Sequence, residues 1–340
     1  MAKKWYRRKS LAAVYEKVVE GRNFLYDGAI LDSLHLRTPV ISIGNLTVGG
    51  TGKTPFTQML LNQFRDQSRS VAVVGRNYRG SLRGTARVQP KEPRAAFVYG
   101  DEPTQLALNN PDVPVFVGPQ KWRAALMAEA DGHPEVILVD DGFQHRALAR
   151  QLDLLLLDAT ASRDDYRVLP LGLGREPFGQ ISRADMVILT KVNFATEAAL
   201  EALREQIPAN LPVAQLAYRL DSPVEETGLR VLGIAGLAQP ETFKRSLQQD
   251  TLYEVAGFLT FPDHHPYSRE DLHHIREIQK SHSADLVVMT EKDYVKLESV
   301  MAQYPILDPD SIRVLKLQTY FLEGAGEFHS RVEALFSKGS

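Results

Sequence analysis

The chain has 340 residues, 44% of them hydrophobic and 24% charged, with a net charge of −2 and no cysteine. These figures describe a folded protein of one large or two ordinary domains. They exclude a disulfide framework, a thiolate metal site and a cysteine nucleophile, and they give no argument for nucleic-acid binding. No apolar run reaches the length of a membrane span, and no leader with an apolar core is expected.

Residues 1–28 differ from the rest. Lys3, Lys4, Arg7, Arg8 and Lys9 surround Trp5 and Tyr6, and Leu11, Val14, Tyr15 and Val18 then recur with helical spacing. Such a basic amphipathic helix suits an anionic membrane surface, and it equally suits docking on its own domain with a solvated tip. The apolar run Pro39–Ile43 next predicts a strand, followed by a glycine-rich turn and a helix opening on Gly52-Lys53-Thr54. Strand, turn and helix in that order form a phosphate-binding loop, because glycines let backbone N–H groups approach phosphate oxygens. Its cradle is Thr47, Val48, Gly49, Gly50, Thr51, Gly52, Lys53 and Thr54, with Lys53 reaching the β and γ phosphates and Thr54 holding Mg²⁺. Thr47 stands where the common pattern has glycine.

Further along, Val71–Gly75 predicts a buried strand with Arg76 and Arg79 just beyond it, either an anion-binding edge or a surface turn. Ala96–Tyr99 reads as a strand ending at Asp101 and Glu102, which serve either as helix N-caps or as a catalytic carboxylate. A strand at Pro114–Val117 and a helix at Lys121–Ala130 follow. Val136–Val139 then ends in Asp140 and Asp141, the form of a strand that sets a carboxylate beside Mg²⁺, with Gln144, His145 and Arg146 at the same edge. Strands at 153–158 and 186–191 flank a Pro- and Gly-rich loop carrying Arg175 and Glu176, a solvated pair or part of the site. Tyr218–Pro223 reads as a linker, after which a second series of strands and helices begins. It contains Asp263-His264-His265, where a metal cluster is disfavoured and a catalytic His held by Asp is the alternative. The expectation is an α/β fold: a mostly parallel, P-loop NTPase-like sheet with helices on both faces over 29–222, and a smaller C-terminal α/β domain over 223–340.

Gly44–Thr54, Gly100–Pro103, Asp140–His145, Asp263–His265 and Thr290–Asp293 together resemble the tetraacyldisaccharide 4′-kinase family, over nearly the whole chain. The family also carries Ser or Thr at the position of Thr47. The resemblance implies ATP and Mg²⁺ as cofactors, and phosphorylation of the 4′-hydroxyl of a tetraacylated glucosamine disaccharide 1-phosphate. It implies peripheral attachment to the cytoplasmic face of the bacterial inner membrane, with no nucleic acid and no obligate protein partner. Asp101 and His264 would form an acid–base dyad, with Lys53 offsetting charge on the transferring group. Thr54, Asp140 and Asp141 would serve Mg²⁺, with His145 and Glu176 weaker candidates for the same site. The rival reading is a peripheral membrane P-loop ATPase acting on a protein partner, although such proteins usually carry a second Lys where this chain has Val48.

Overall fold

The structure, a computed structural model, describes residues 2–77, 80–221, 228–237, 240–262 and 265–337, with side chains from residue 8 onward. Arg79, Asp263 and His264, and the side chains of Lys3, Lys4, Trp5, Tyr6 and Arg7, lie outside the described residues. The chain divides into two compact units, Met1–Ala217 with Phe321–Ser340, and Tyr218–Tyr320.

The first unit begins with α1 (Ala2–Asp27), β1 (Val40–Asn45), α2 (Lys53–Asp66) and β2 (Val71–Gly75). It continues through β3 (Ala86–Arg87), α3 (Ala95–Tyr99), α4 (Asp101–Asn109), β4 (Val115–Val117) and α5 (Lys121–Ala130). The elements β5 (Val136–Asp140), β6 (Leu152–Asp158), β7 (Met186–Thr190), α6 (Glu197–Arg204) and β8 (Val213–Asp221) as far as Ala217 complete it. The strand order is β8-β7-β6-β1-β5-β2-β4-β3, parallel among the pairs from β8 to β4, with only the short edge strand β3 antiparallel. Near-continuous apolar runs form these strands because both faces are buried. Alternation then sorts the side chains. Ile41, Ile43, Val73, Leu138 and Leu154 pack with Phe56 and Leu60 of α2, while Val40, Ala72, Val74 and Ile137 pack with Ala124, Ala125 and Ala128 of α5 on the other face.

The second unit holds β9 (Arg230–Ala235), α7 (Pro240–Asp250), β10 (Glu254–Thr260), α8 (Arg269–Ser281), β11 (Leu286–Thr290), α9 (Glu291–Gln303) and most of β12 (Ile312–Glu323). Its strands run parallel in the order β10-β9-β11-β12. A final helix, α10 (Ala325–Glu333), belongs to the first unit, where Phe328 meets Phe56 edge-on at 5.8 Å. The C-terminal stretch therefore departs from the expected 223–340 grouping, because the first unit's core recruits Phe328 and Val332.

Three local expectations change. Ala96–Tyr99 lies in helix α3, not a strand; only Ala95 and Tyr99 are buried, one helical turn apart, and Phe97 is exposed. A four-residue apolar run does not distinguish the two periods. Tyr218–Asp221 is the end of β8 rather than a linker, with Tyr218 buried. Helix α1 docks on its own unit through a face beside the expected stripe. Ala12, Val19 and Asn23 face inward, and the Tyr15 hydroxyl donates to the Arg175 carbonyl at 2.8 Å. Leu11, Val14, Val18 and Leu25 form a neighbouring stripe that is exposed.

Candidate active site

The phosphate-binding loop leaves β1 at the centre of the first unit's sheet. All six β1 residues are buried, and a Cβ on Gly44 would meet the Phe143 Cβ at 2.4 Å, so only glycine lets the two segments cross. Asn45 braces the turn by donating from Nδ2 to the Thr47 carbonyl at 2.7 Å. Thr47 is buried and bridges Gly174, and the Val48 N–H donates to the Leu173 carbonyl at 2.8 Å. Positive φ is confined to Gly49 and Gly52 within this loop, so Thr47 fits without strain where glycine is the common residue. Gly52, at φ 86°, sits at the N-cap of α2 and turns the chain so that Lys53 and Thr54 open the helix.

The Lys53 ammonium donates to Asn45 Oδ1 at 3.1 Å and lies 3.5 Å from Asp141 Oδ1. Asp141 also accepts from Arg175 Nη1 on both oxygens, at 2.7 and 2.8 Å. Burial alone would raise its carboxyl, but Lys53, Lys121 and Arg175 together hold it well below the usual range. Asp140, one residue earlier, is pushed up to about 6 by burial, which Lys53 and Lys121 only partly offset. Its Oδ1 is buried without a hydrogen-bond partner. Thr54, Thr57, Gly75, Glu102 and Asp140 line one small cleft. Among the described residues, no three His, Asp, Glu or Cys side chains gather as a metal-binding group. Mg²⁺ fits this arrangement, since it is usually held by one or two carboxylates with phosphate and water oxygens. Thr54 and the orphaned Asp140 oxygen are the residues that would hold it.

A family model for tetraacyldisaccharide-1-P 4′-kinase matches residues 8–337. The chain belongs to that kinase family. A tetraacyldisaccharide 4′-kinase of Bdellovibrio bacteriovorus is 39% identical over 90% of this chain and 93% of its own length. One from Geobacter metallireducens is 35% identical over 87% and 90%. A crystal structure of LpxK from Aquifex aeolicus in complex with ATP superposes with a TM-score of 0.73 at 28% identity, covering 96% of this chain and 98% of the other. As a member of the 4′-kinase family, the chain is a phosphotransferase of lipid A biosynthesis.

Within this kinase the expected metal set narrows. Both Asp141 oxygens are engaged by Arg175, so Asp141 positions Lys53 and Arg175 rather than standing open to Mg²⁺. Glu176, expected at the metal, is buried among Arg22, Arg183 and Asn23, and ties α1 to the loop after β6. The His145 imidazole is pushed down to about 3 by burial, reinforced by Lys121 and Arg76, and is neutral at physiological pH. Asp101 and Glu102 are exposed in the first turn of α4, whose N-cap position is held by Gly100. In the second unit, His265 Nε2 pairs with Asp271 at 3.0 Å, and the buried Asp293 accepts from Tyr267, Thr290 and the Gly236 N–H, which makes Asp293 a strut of that unit.

Sequence reasoning did not single out Lys121, Asn45 or the Asp158–Lys191 pair. Lys121 is wholly buried; its ammonium donates to the carbonyls of Asp140 and Asp141, and burial holds it down to about 8. A signal was present, because Lys121, Ala124, Ala125 and Ala128 share one buried stripe of α5. A lysine on such a stripe needs oxygen partners. Lys191 Nζ donates to Asp158 Oδ2 and, at 2.7 Å, to the Gly50 carbonyl, while Thr190 Oγ1 donates to the Thr51 carbonyl at 2.9 Å. These bonds hold the phosphate loop from the β6–β7 side.

Proposed function

We propose that the chain transfers the γ-phosphoryl group of ATP, with Mg²⁺, to the 4′-hydroxyl of a tetraacylated glucosamine disaccharide 1-phosphate. The observation that carries the reading is the joint presence of a braced phosphate loop and a buried Asp140 oxygen that lacks a partner beside Thr54. Mg²⁺ supplies charge neutralisation on the transferring group when bound. Lys53, fixed between Asn45 and Asp141, holds the donor phosphates in line. The acceptor oxygen forms a bond to the γ phosphorus as the bond to the β–γ bridging oxygen breaks, and ADP leaves. The hydroxyl proton passes to the pair Asp101 and His264 late in the transfer. Asp101 supports this by standing exposed just past Gly100, next in sequence to Glu102, which lines the cleft with Thr54 and Asp140.

The lipid acceptor calls for a membrane surface. No helix among the described residues is long and apolar enough to cross a membrane. The exposed stripe Leu11, Val14, Val18 and Leu25 on α1, following a basic stretch of sequence, supports peripheral attachment at the cytoplasmic face of the inner membrane. The deciding assay combines the purified chain, ATP, Mg²⁺ and the tetraacyl disaccharide 1-phosphate in detergent, with the product analysed for a 4′-phosphate. ATP turnover without lipid phosphorylation, stimulated instead by a protein partner, overturns the reading. Within the same assay, Asp101→Ala and His264→Ala each lower kcat with little change in ATP affinity. The double substitution loses less than the product of the single losses if the two act as one unit.

A further inference from the structure

Two histidines stand side by side at 264 and 265, and the proposed dyad uses one imidazole. The surroundings of His265 give it a different task. Its Nε2 meets Asp271 Oδ2 at 3.0 Å. Burial would raise the Asp271 carboxyl, but bonds from His265 and Ser268 hold it below the usual range, so Asp271 accepts and the imidazole N–H donates. The same carboxylate oxygen takes the Ser268 N–H and hydroxyl, both at 2.8 Å, in the capping box that opens α8. The ring also packs 4.9 Å from Phe261 and 5.1 Å from Tyr267, centroid to centroid. Its backbone is tied as well: the Pro262 carbonyl accepts from the His265 N–H at 3.0 Å, so the residues that flank Asp263-His264 are bonded to each other.

A second brace comes from the Thr290–Asp293 motif. Tyr267 is buried and donates to Asp293 Oδ1 at 3.1 Å, and the same oxygen accepts from the Gly236 N–H. Asp293 stands in the first turn of α9, where a carboxylate ordinarily caps its own helix, yet these two partners belong to other segments. A Cβ on Gly236 would lie 2.6 Å from Asp293 Oδ1 and 3.6 Å from the Pro262 carbonyl oxygen, so the end of β9, the start of α9 and Pro262 close on one another.

We propose that His265 is a positioning residue: held by Asp271 and packed against Phe261 and Tyr267, it fixes the segment that presents His264 to the acceptor hydroxyl. This rests on the kinase reading for the role of His264. The two neighbouring histidines then divide the work, one meeting the proton and the other anchoring the chain. A glutamine at 265 separates an anchor from a base. Its carboxamide offers an N–H donor to Asp271 and does not take up a proton at neutral pH.

The test compares His265→Gln with His265→Ala in the full chain, by lipid kinase kinetics and by the imidazole NMR signal of His264. That signal is assigned by its loss in His264→Gln and recorded without ATP or lipid. His265→Ala should lower kcat about tenfold to a hundredfold with KM for ATP near the parent value, while His265→Gln keeps kcat within about threefold. His265→Ala should displace the His264 signal, and His265→Gln should leave it in place. Added to His264→Ala, His265→Ala should cost less than about a further twofold, because it acts through His264. A His265→Gln variant as inactive as His265→Ala overturns the proposal and makes His265 with Asp271 a reacting pair. Parent kcat in His265→Ala overturns it too, as does its full loss repeated on top of His264→Ala. A parent chain that fails to phosphorylate the lipid, with the His264 signal displaced by Ala and spared by Gln, sinks the kinase reading and leaves the anchor standing.

Discussion

On the β5 side of the phosphate loop, Asp140 keeps a buried carboxylate oxygen with no partner, its carboxyl pushed up to about 6. On the β6–β7 side, Asp158 and Lys191 are just as deeply buried but neutralise each other, and their spare hydrogen-bonding capacity holds backbone. Both flanks end parallel strands in carboxylates, so the residue types alone do not separate them. The difference is completeness. A flank that leaves a carboxylate short of partners is arranged for a cation and phosphates that arrive later, whereas a closed ion pair fixes the shape of the loop they arrive at.

The severest way to break the open flank is Lys53→Ala. Lys53 is the only side chain opening α2 that bridges Asn45 and Asp141, and its loss should cost roughly 10³-fold in kcat/KM with the fold intact by circular dichroism. Asp140→Asn should cost about a hundredfold or more in turnover and weaken the dependence on Mg²⁺. The same substitution should raise the melting temperature at pH 7.5 in the absence of ligand. The sign follows from the direction of the shift. Asp140 has its folded value raised from 3.8 to about 6, so its contribution to stability is present below about 4 and is lost as pH rises through about 6. Removing the charge removes that loss. In the parent, the Mg²⁺ concentration needed for half-maximal activity should climb as pH falls below 6, because the proton and the metal compete for one carboxylate. A flat Mg²⁺ requirement from pH 5 to pH 7.5 would contradict Asp140 as the ligand.

The closed flank breaks differently. Asp158→Asn strands the buried Lys191 ammonium and should destabilise the chain by on the order of 3 kcal/mol, read as a lowered denaturant midpoint. Pairing it with Lys191→Met should recover much of the stability, since both charges are then gone. Nucleotide affinity should remain lowered in the double variant, because the grip on the Gly50 carbonyl is lost. Recovery of both properties would mean that the pair serves stability alone.

What was legible from sequence follows the same division. The open flank is local: Gly49–Thr54 and Val136–Asp141 each place strand, turn and charge within a dozen residues, where periodicity and motif reinforce each other. The closed flank joins Gly50, Asp158 and Lys191 across more than a hundred residues, and no local pattern announces such a pairing. Lys121 was half legible: its place on the buried stripe of α5 is a local signal, but its acceptors, the carbonyls of Asp140 and Asp141, are not. Glu176 was misplaced because a carboxylate in a Gly- and Pro-rich loop reads alike whether it faces a metal or, as here, Arg22 and Arg183. Ala96–Tyr99 failed through brevity, and the return of Phe328 to the first core is a long-range packing choice.

Helix α1 adds a finer test, because bonds from Tyr15 and Arg22 tie it to the open flank. Tyr15 bonds the Arg175 carbonyl, Arg22 holds Glu176, and Arg175 in turn holds Asp141. The inward face of α1 therefore belongs to the site's support, while Leu11, Val14 and Val18 face away from it. Replacing those three with Gln leaves every one of these bonds in place. The triple variant should keep kcat within about twofold on detergent-dispersed lipid, since exposed positions carry little stability. Its co-sedimentation with anionic vesicles should fall several-fold as apolar insertion is lost. Tyr15→Phe should do the reverse, sparing vesicle binding and slightly lowering turnover. If the triple variant instead bound vesicles as the parent does, membrane contact would have to come from another surface, and α1 would be a support for Arg175 alone.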